Sequence, residues 1–183
     1  MSGRILATDC LVIGAGLAGS AYALQAARAG LNVQLLSMGQ PDEANSDWAQ
    51  GGIIYDTQAQ NSQTRGSLYD DIMAASDHTA NPASVQQLVR EGPAAVRSLL
   101  LDELQVGFDR SIAGELEYTR EGGHSERRII HVRDLTGRAI HSAVAAAVDR
   151  NPLIQRQIGA TAIDLLTLSH NTDEPAARYA PLT

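Results

Sequence analysis

Gly14-Ala15-Gly16-Leu17-Ala18-Gly19 is a G-x-G-x-x-G run set between an apolar strand pattern and an alanine-rich helix pattern. Before it, Cys10-Leu11-Val12-Ile13 is a short continuous apolar run, the signature of a strand buried on both faces. After it, Leu17, Ala21, Leu24 and Ala27 recur at helical spacing, and Gly30 stands where a helix-terminating glycine belongs. A second apolar run, Val33-Gln34-Leu35-Leu36, completes a β-α-β unit and sets the fold class as α/β. Each glycine has its own task in such a turn. Gly14 permits the tight bend, Gly16 lets a pyrophosphate approach the backbone, and Gly19 lets helix and strand pack closely. The helix start then offers unpaired N–H groups and partial positive charge to that anion. A glycine turn without a ligand is the alternative, but strand, turn, helix and second strand arriving in order argue against it. The motif does not choose between NAD and FAD. The acidic ribose ligand of a standard NAD site is missing, because Ser37-Met38-Gly39 stands at the end of the second run.

With 183 residues, 44% of them hydrophobic, the chain suits one globular domain with a substantial core. No apolar stretch reaches membrane-spanning length, and the start lacks a signal-peptide pattern. Cys10, the lone cysteine, is expected to be a small buried hydrophobe. It excludes a disulfide framework and a multi-cysteine metal site, and a cytoplasmic location is expected. A net charge of −7 argues against nucleic acid as a partner. All 14 basic residues are arginine, which excludes a Walker A phosphate loop and a lysine Schiff base in this chain. The five histidines, at 78, 124, 131, 141 and 170, show no ligand-like clustering, so no metal is expected.

Residues 40–47 are polar and read as a loop. Trp48-Ala49-Gln50-Gly51-Gly52 follows, then Ile53-Ile54-Tyr55. Paired glycines beside a large aromatic suit close approach to a flat ligand, although an ordinary turn into a strand is the simpler reading of these residues alone. Residues 56–66 read as an exposed loop and 68–75 as a short helix. Asn81-Pro82 is a helix start, with Val85, Leu88 and Val89 on its apolar face. Gly92-Pro93 is expected to interrupt that helix before a second one carrying Ala95, Val96, Leu99 and Leu100. Residues 117–119 and 129–132 read as strands. Thr136 is expected to cap a helix over 137–149, marked by Ile140, Val144 and Val148. A last strand pattern covers 158–168, which closes a domain over 1–168 and leaves 169–183 as a flexible tail.

The densest polar stretch is Thr119-Arg120-Glu121-Gly122-Gly123-His124-Ser125-Glu126-Arg127-Arg128. Between 119 and 138, five arginines face three acids, a local charge of +2 in an acidic chain. A small-anion site and an ion-paired surface loop both account for that excess. Arg120, Arg127 and Arg128 each carry a fork suited to a carboxylate, and Glu121 can accept from a substrate ammonium group. Together they suit a zwitterionic or dicarboxylic substrate. His124 and His131 are candidates for moving protons, against the commoner structural role of a lone histidine.

These motifs, in this order and spacing, resemble a known family. Val12 to Gly19, Trp48-Ala49-Gln50-Gly51-Gly52-Ile53 and Thr119-Arg120-Glu121-Gly122-Gly123-His124-Ser125 carry the likeness, extended by Arg128-Ile129-Ile130-His131 and Asp134-Leu135-Thr136-Gly137-Arg138. The chain resembles the amino-terminal part of the L-aspartate oxidases, within the succinate dehydrogenase and fumarate reductase flavoproteins. The resemblance implies a Rossmann-like FAD-binding domain, with the pyrophosphate over Ala15 to Gly19 and the ribose near Ser37 and Met38. It lays the isoalloxazine along Asn45-Ser46-Asp47-Trp48-Ala49-Gln50-Gly51-Gly52 and assigns Glu121 to the substrate amino group. Family members usually carry lysine where Met38 stands. Succinate dehydrogenases carry a flavin-linking histidine at the position of Asn45, so noncovalent FAD is expected. The implied chemistry is oxidation of L-aspartate to iminoaspartate, feeding NAD synthesis. The capping domain and further catalytic residues of the family lie beyond this length, so the chain is expected to be inactive alone, with the remainder a possible separate partner chain. A fumarate reductase-type flavoprotein and a non-catalytic nucleotide-binding module are the alternatives, ahead of an NAD-dependent dehydrogenase.

Overall fold

The computed structural model describes residues 6–57 and 68–165. Strand β1 (Cys10–Ile13), helix α1 (Leu17–Arg28) and strand β2 (Val33–Ser37) form the expected β-α-β unit, and Gly30 terminates α1 at φ +84°. A short helix α2 (Asn45–Trp48) leads to strand β3 (Ile53–Ile54). Helices α3 (Leu68–Ala75) and α4 (Pro82–Val96) follow, then strand β4 (Ile129–Ile130), helix α5 (Thr136–Arg150) and strand β5 (Ile154–Ile158). The main sheet is parallel in the order β1-β2-β5, pairing Cys10 with Val33 and Val33 with Ile154. A separate antiparallel pair joins Ile53 to Ile130.

Side chains alternate across a strand, so Val12, Val33, Leu35 and Ile154 share a core with Ala23, Leu24 and Ala27 of α1 and Ile140, Val144 and Val148 of α5. The core therefore lies between the sheet and these two helices. That one-sided packing corrects the reading of β1 as buried on both faces. Leu11 and Ile13 point to the other face and are 50% and 62% exposed, and Cys10 is only half-buried.

Other boundaries shift for physical reasons. Residues 40–47 are not a plain loop, because a 3-10 turn (Pro41–Glu43) and α2 occupy them. Asp47 is buried and held by Arg138, while the exposed Trp48 indole of α2 donates to the Asp42 carbonyl. Asn81 caps α4 as expected, accepting from the Ala83 and Ser84 N–H groups. Gly92-Pro93 does not break the helix, which runs through Pro93 and continues as a π-helical segment (Arg97–Glu103). Proline removes one internal hydrogen bond, but Val96 and Leu100 keep their core positions only if the helix goes on. Thr136 is the first helical residue of α5 and not its cap. Its hydroxyl accepts from the Val132 N–H, holding the preceding loop instead. Residues 117–119 make only an isolated bridge, Thr119 to Ile129, and the last strand ends at Ile158 where it was expected to begin. Residues 58–66 of the expected exposed loop and the whole 169–183 tail lie outside the described residues. No described helix is long and apolar enough to cross a membrane.

Candidate functional site

The glycine turn sits between β1 and α1, tied to β2 by a 2.9 Å bond from the Gly14 N–H to the Leu36 carbonyl. Gly14 takes φ +103°, a conformation that side chains rarely adopt. A Cβ on Gly19 would run into the Gly14 carbonyl and against Val12, so this glycine does allow the helix to press on the strand. A Cβ on Gly16 would meet nothing closer than the Ser46 hydroxyl at 3.5 Å. At the end of β2 the Ser37 hydroxyl donates to the Gly39 carbonyl, and Met38 is 77% exposed. Glu43 lies beside Gly39, but its carboxylate accepts from the Gln40 N–H and is engaged as a turn cap.

The second and third motifs meet the first. Gly51, at φ +76°, lies so close to Glu121 that an added Cβ would approach its two carboxylate oxygens to 2.8 and 3.1 Å. A Cβ on Gly52 would overlap Ile129 and the Ile130 carbonyl, so the β3–β4 contact needs glycine there. Gly137, at the start of α5, donates to the Ala49 carbonyl at 3.0 Å, where a side chain would not fit. Between these parts lies a cleft of about 260 Å³ lined by Leu17, Ser46, Gln50, Gly52, Thr136 and Gly137. The N-terminal ends of α1 and α5 both line it, so partial positive charge from two helices faces one space. Ser46 bridges the walls by accepting from the Leu17 N–H at 3.2 Å.

A second, larger cleft of about 700 Å³ lies along the arginine-rich segment, lined by Tyr118, Thr119, Arg120, Ser125, Glu126 and Arg127. Arg120 and Arg127 are exposed and open to a ligand. Arg128 is not. It is 3% exposed, with its guanidinium 3.3 Å from Asp56 and 2.6 Å from Asp71, so its charge is matched within the protein and its candidacy as a substrate arginine is corrected. Burial pushes the Asp71 carboxyl up, but the Ser125 N–H and hydroxyl together with Arg128 outweigh it and hold the group below its ordinary value. His131 is likewise occupied, 3.1 Å from Asp109. Glu121 is exposed, and its carbonyl accepts from the His124 N–H. The His124 Nδ1 is buried with no hydrogen-bond partner among the described residues.

Sequence reasoning passed over His141. This fully buried side chain places Nε2 3.2 Å from the Ala15 carbonyl and Nδ1 3.6 Å from Asp47. Arg138, one turn earlier on α5, reaches Asp47 at 3.2 Å and lies over the Trp48 ring. The available signal was a polar residue beside Ile140 on the buried face of α5, but its partners are remote in sequence.

The FAD binding domain family matches residues 9–176. The chain belongs to that family. FAD is its cofactor, and the glycine turn fits one, since a Cβ on Gly16 would meet nothing closer than 3.5 Å where a phosphate must approach. L-aspartate oxidase of Halobacterium salinarum is 41% identical over 163 residues, covering 87% of this chain and 30% of that protein. The chloroplastic L-aspartate oxidase of Arabidopsis thaliana is 38% identical over 162 residues, covering 87% of this chain and 24% of that protein. Among solved structures, E. coli quinol fumarate reductase aligns at 25% identity with a TM-score of 0.72, over 81% of this chain and 25% of its own. The chain thus spans less than a third of the curated relatives it matches. The resemblance drawn from the three motifs is borne out at the level of the family and its cofactor.

Proposed function

We propose that this chain is the FAD-binding portion of an L-aspartate oxidase-like flavoenzyme, built on a Rossmann-like unit over residues 1–168. One observation carries the proposal. Glu121, from the segment that points to L-aspartate oxidases, lies against Gly51 of the A-Q-G-G-I motif, beside the cleft where the glycine turn and α5 begin. In this reading Ala15 to Gly19 hold the FAD pyrophosphate, Ser37 and Met38 flank the ribose, and residues 45–52 support the flavin. FAD, when bound, accepts the hydride that leaves the substrate. The chain's own task is recognition. Glu121 accepts from the substrate ammonium, while Arg120 and Arg127 face its carboxylates. FAD is held noncovalently, because Asn45 cannot form the histidine link. The remaining catalytic parts come from the rest of the enzyme, in the same or a separate polypeptide, and the product enters NAD synthesis. A cytoplasmic location belongs to the proposal and rests on the sparse cysteine content.

The first test is titration of this chain with FAD, with NAD in parallel. Saturable FAD binding without NAD binding is expected, and binding of NAD alone would overturn the cofactor assignment. Fumarate reductase-type chemistry is the second reading, favoured by the likeness to the E. coli enzyme. Glu121→Gln in the complete enzyme separates the two. Loss of an ammonium–carboxylate hydrogen bond should lower kcat/KM for L-aspartate by on the order of tenfold to a hundredfold. Turnover of dicarboxylates without an amino group should stay within about twofold. Equal losses on both substrate types would remove Glu121 from amino-group recognition.

A further inference from the structure

We infer that His141 is a positioning residue that aims the Gly16 N–H at the cofactor phosphate, an inference resting on the FAD reading above. The Ala15 carbonyl can only accept, so the His141 Nε2 donates to it at 3.2 Å. The Ser20 hydroxyl donates to the same oxygen at 3.1 Å. Both donors are buried, at the inner side of the turn. No described peptide bond is cis, so the Ala15–Gly16 peptide is planar and trans, and its N–H points opposite to its C=O. Two donors gripping the carbonyl from within therefore turn the Gly16 N–H outward. None of the hydrogen bonds among the described residues uses that N–H, whereas the next one, on Leu17, is taken by Ser46. Gly16 is only partly buried, so its outward N–H is open to a ligand at the start of α1, where free backbone donors favour an anion.

His141 does a second thing. Its Nδ1 faces Asp47, which Arg138 holds from the other side. The imidazole thus packs between the glycine turn and α2, both of which line the cleft, with Nδ1 3.6 Å from Asp47, outside hydrogen-bond distance.

The two ring nitrogens can be tested separately. Glutamine places an N–H donor near the Nε2 position, and asparagine places one near Nδ1. Each variant of this chain is titrated with FAD, with ADP as the phosphate-bearing part and with riboflavin as the part without phosphate. His141→Gln is expected to bind ADP within about threefold of the unmodified chain, while His141→Asn and His141→Leu lose about tenfold. Riboflavin affinity should change by less than about twofold in His141→Asn. A role confined to core packing would weaken Gln and Asn alike and move riboflavin with ADP, and that result overturns the inference. If the histidine variants fail to fold by circular dichroism, Ser20→Ala removes the other donor to the same oxygen. It should weaken ADP by about threefold or more, and unchanged affinity overturns the inference. An unmodified chain that binds neither FAD nor ADP would instead defeat the underlying FAD reading.

Discussion

Gly16→Val is expected to leave the chain folded and to abolish FAD binding, with at least about a hundredfold loss of affinity, equivalent to about 2.7 kcal/mol. Gly16 has φ −68° and ψ −179°, an extended conformation that valine adopts without strain. The nearest atom to an added Cβ is the Ser46 Oγ at 3.5 Å, an ordinary contact, so the branch point of the side chain meets no clash in the fold. The phosphate cannot, because the same space is where it must approach the backbone. Gly19→Ala is the matching control with the opposite outcome. Its Cβ would overlap the Gly14 carbonyl, a backbone atom that cannot move without shifting β1 against α1. Overpacking of that kind costs about 1–3 kcal/mol of stability. Thermal unfolding and FAD titration of both variants should therefore separate, one losing ligand and the other losing stability. A Gly16→Val chain with unchanged FAD affinity would remove the pyrophosphate from this turn.

The parts of this chain that were legible in its sequence are those governed by local rules. The order of β1, the glycine turn, α1 and β2 follows from apolar runs and glycines that act within a few residues of themselves, as does the Asn81 cap of α4. What local rules missed depends on partners far along the chain. Residues 40–47 look solvated until Arg138 is seen holding Asp47, and Pro93 looks like a break until the core positions of Val96 and Leu100 are known. The site divides in the same way. The motifs pointed to three segments, and the fold places Gly51, next to the β3–β4 pair, beside Glu121. They could not show which of three neighbouring arginines is available. Arg127 and Arg128 are adjacent in sequence, yet one is exposed and the other is enclosed by two carboxylates.

That distinction predicts the largest stability effect in the arginine-rich segment. Arg128→Leu should cost about 3 kcal/mol, because it removes a buried guanidinium from between two partly buried carboxylates, Asp56 and Asp71. Arg120→Ala and Arg127→Ala should each change stability by no more than about 0.5 kcal/mol, since both side chains are exposed. Acid supplies an independent check. The Asp71 carboxyl titrates below its ordinary value in the folded chain, so its contribution is complete above the unfolded carboxylate's pKa of about 3.9. It is lost as the pH falls through the depressed folded value, because the proton then binds the unfolded chain first. In Arg128→Leu the lost countercharge matters less once that carboxyl is protonated. Denaturant unfolding of the two proteins between pH 7 and pH 3 should therefore show a stability gap that is widest near neutrality and narrows below about pH 4. A gap under about 1 kcal/mol at neutral pH would mean that Arg128 is not the buried partner of these acids, and would restore it as a candidate for the substrate carboxylate.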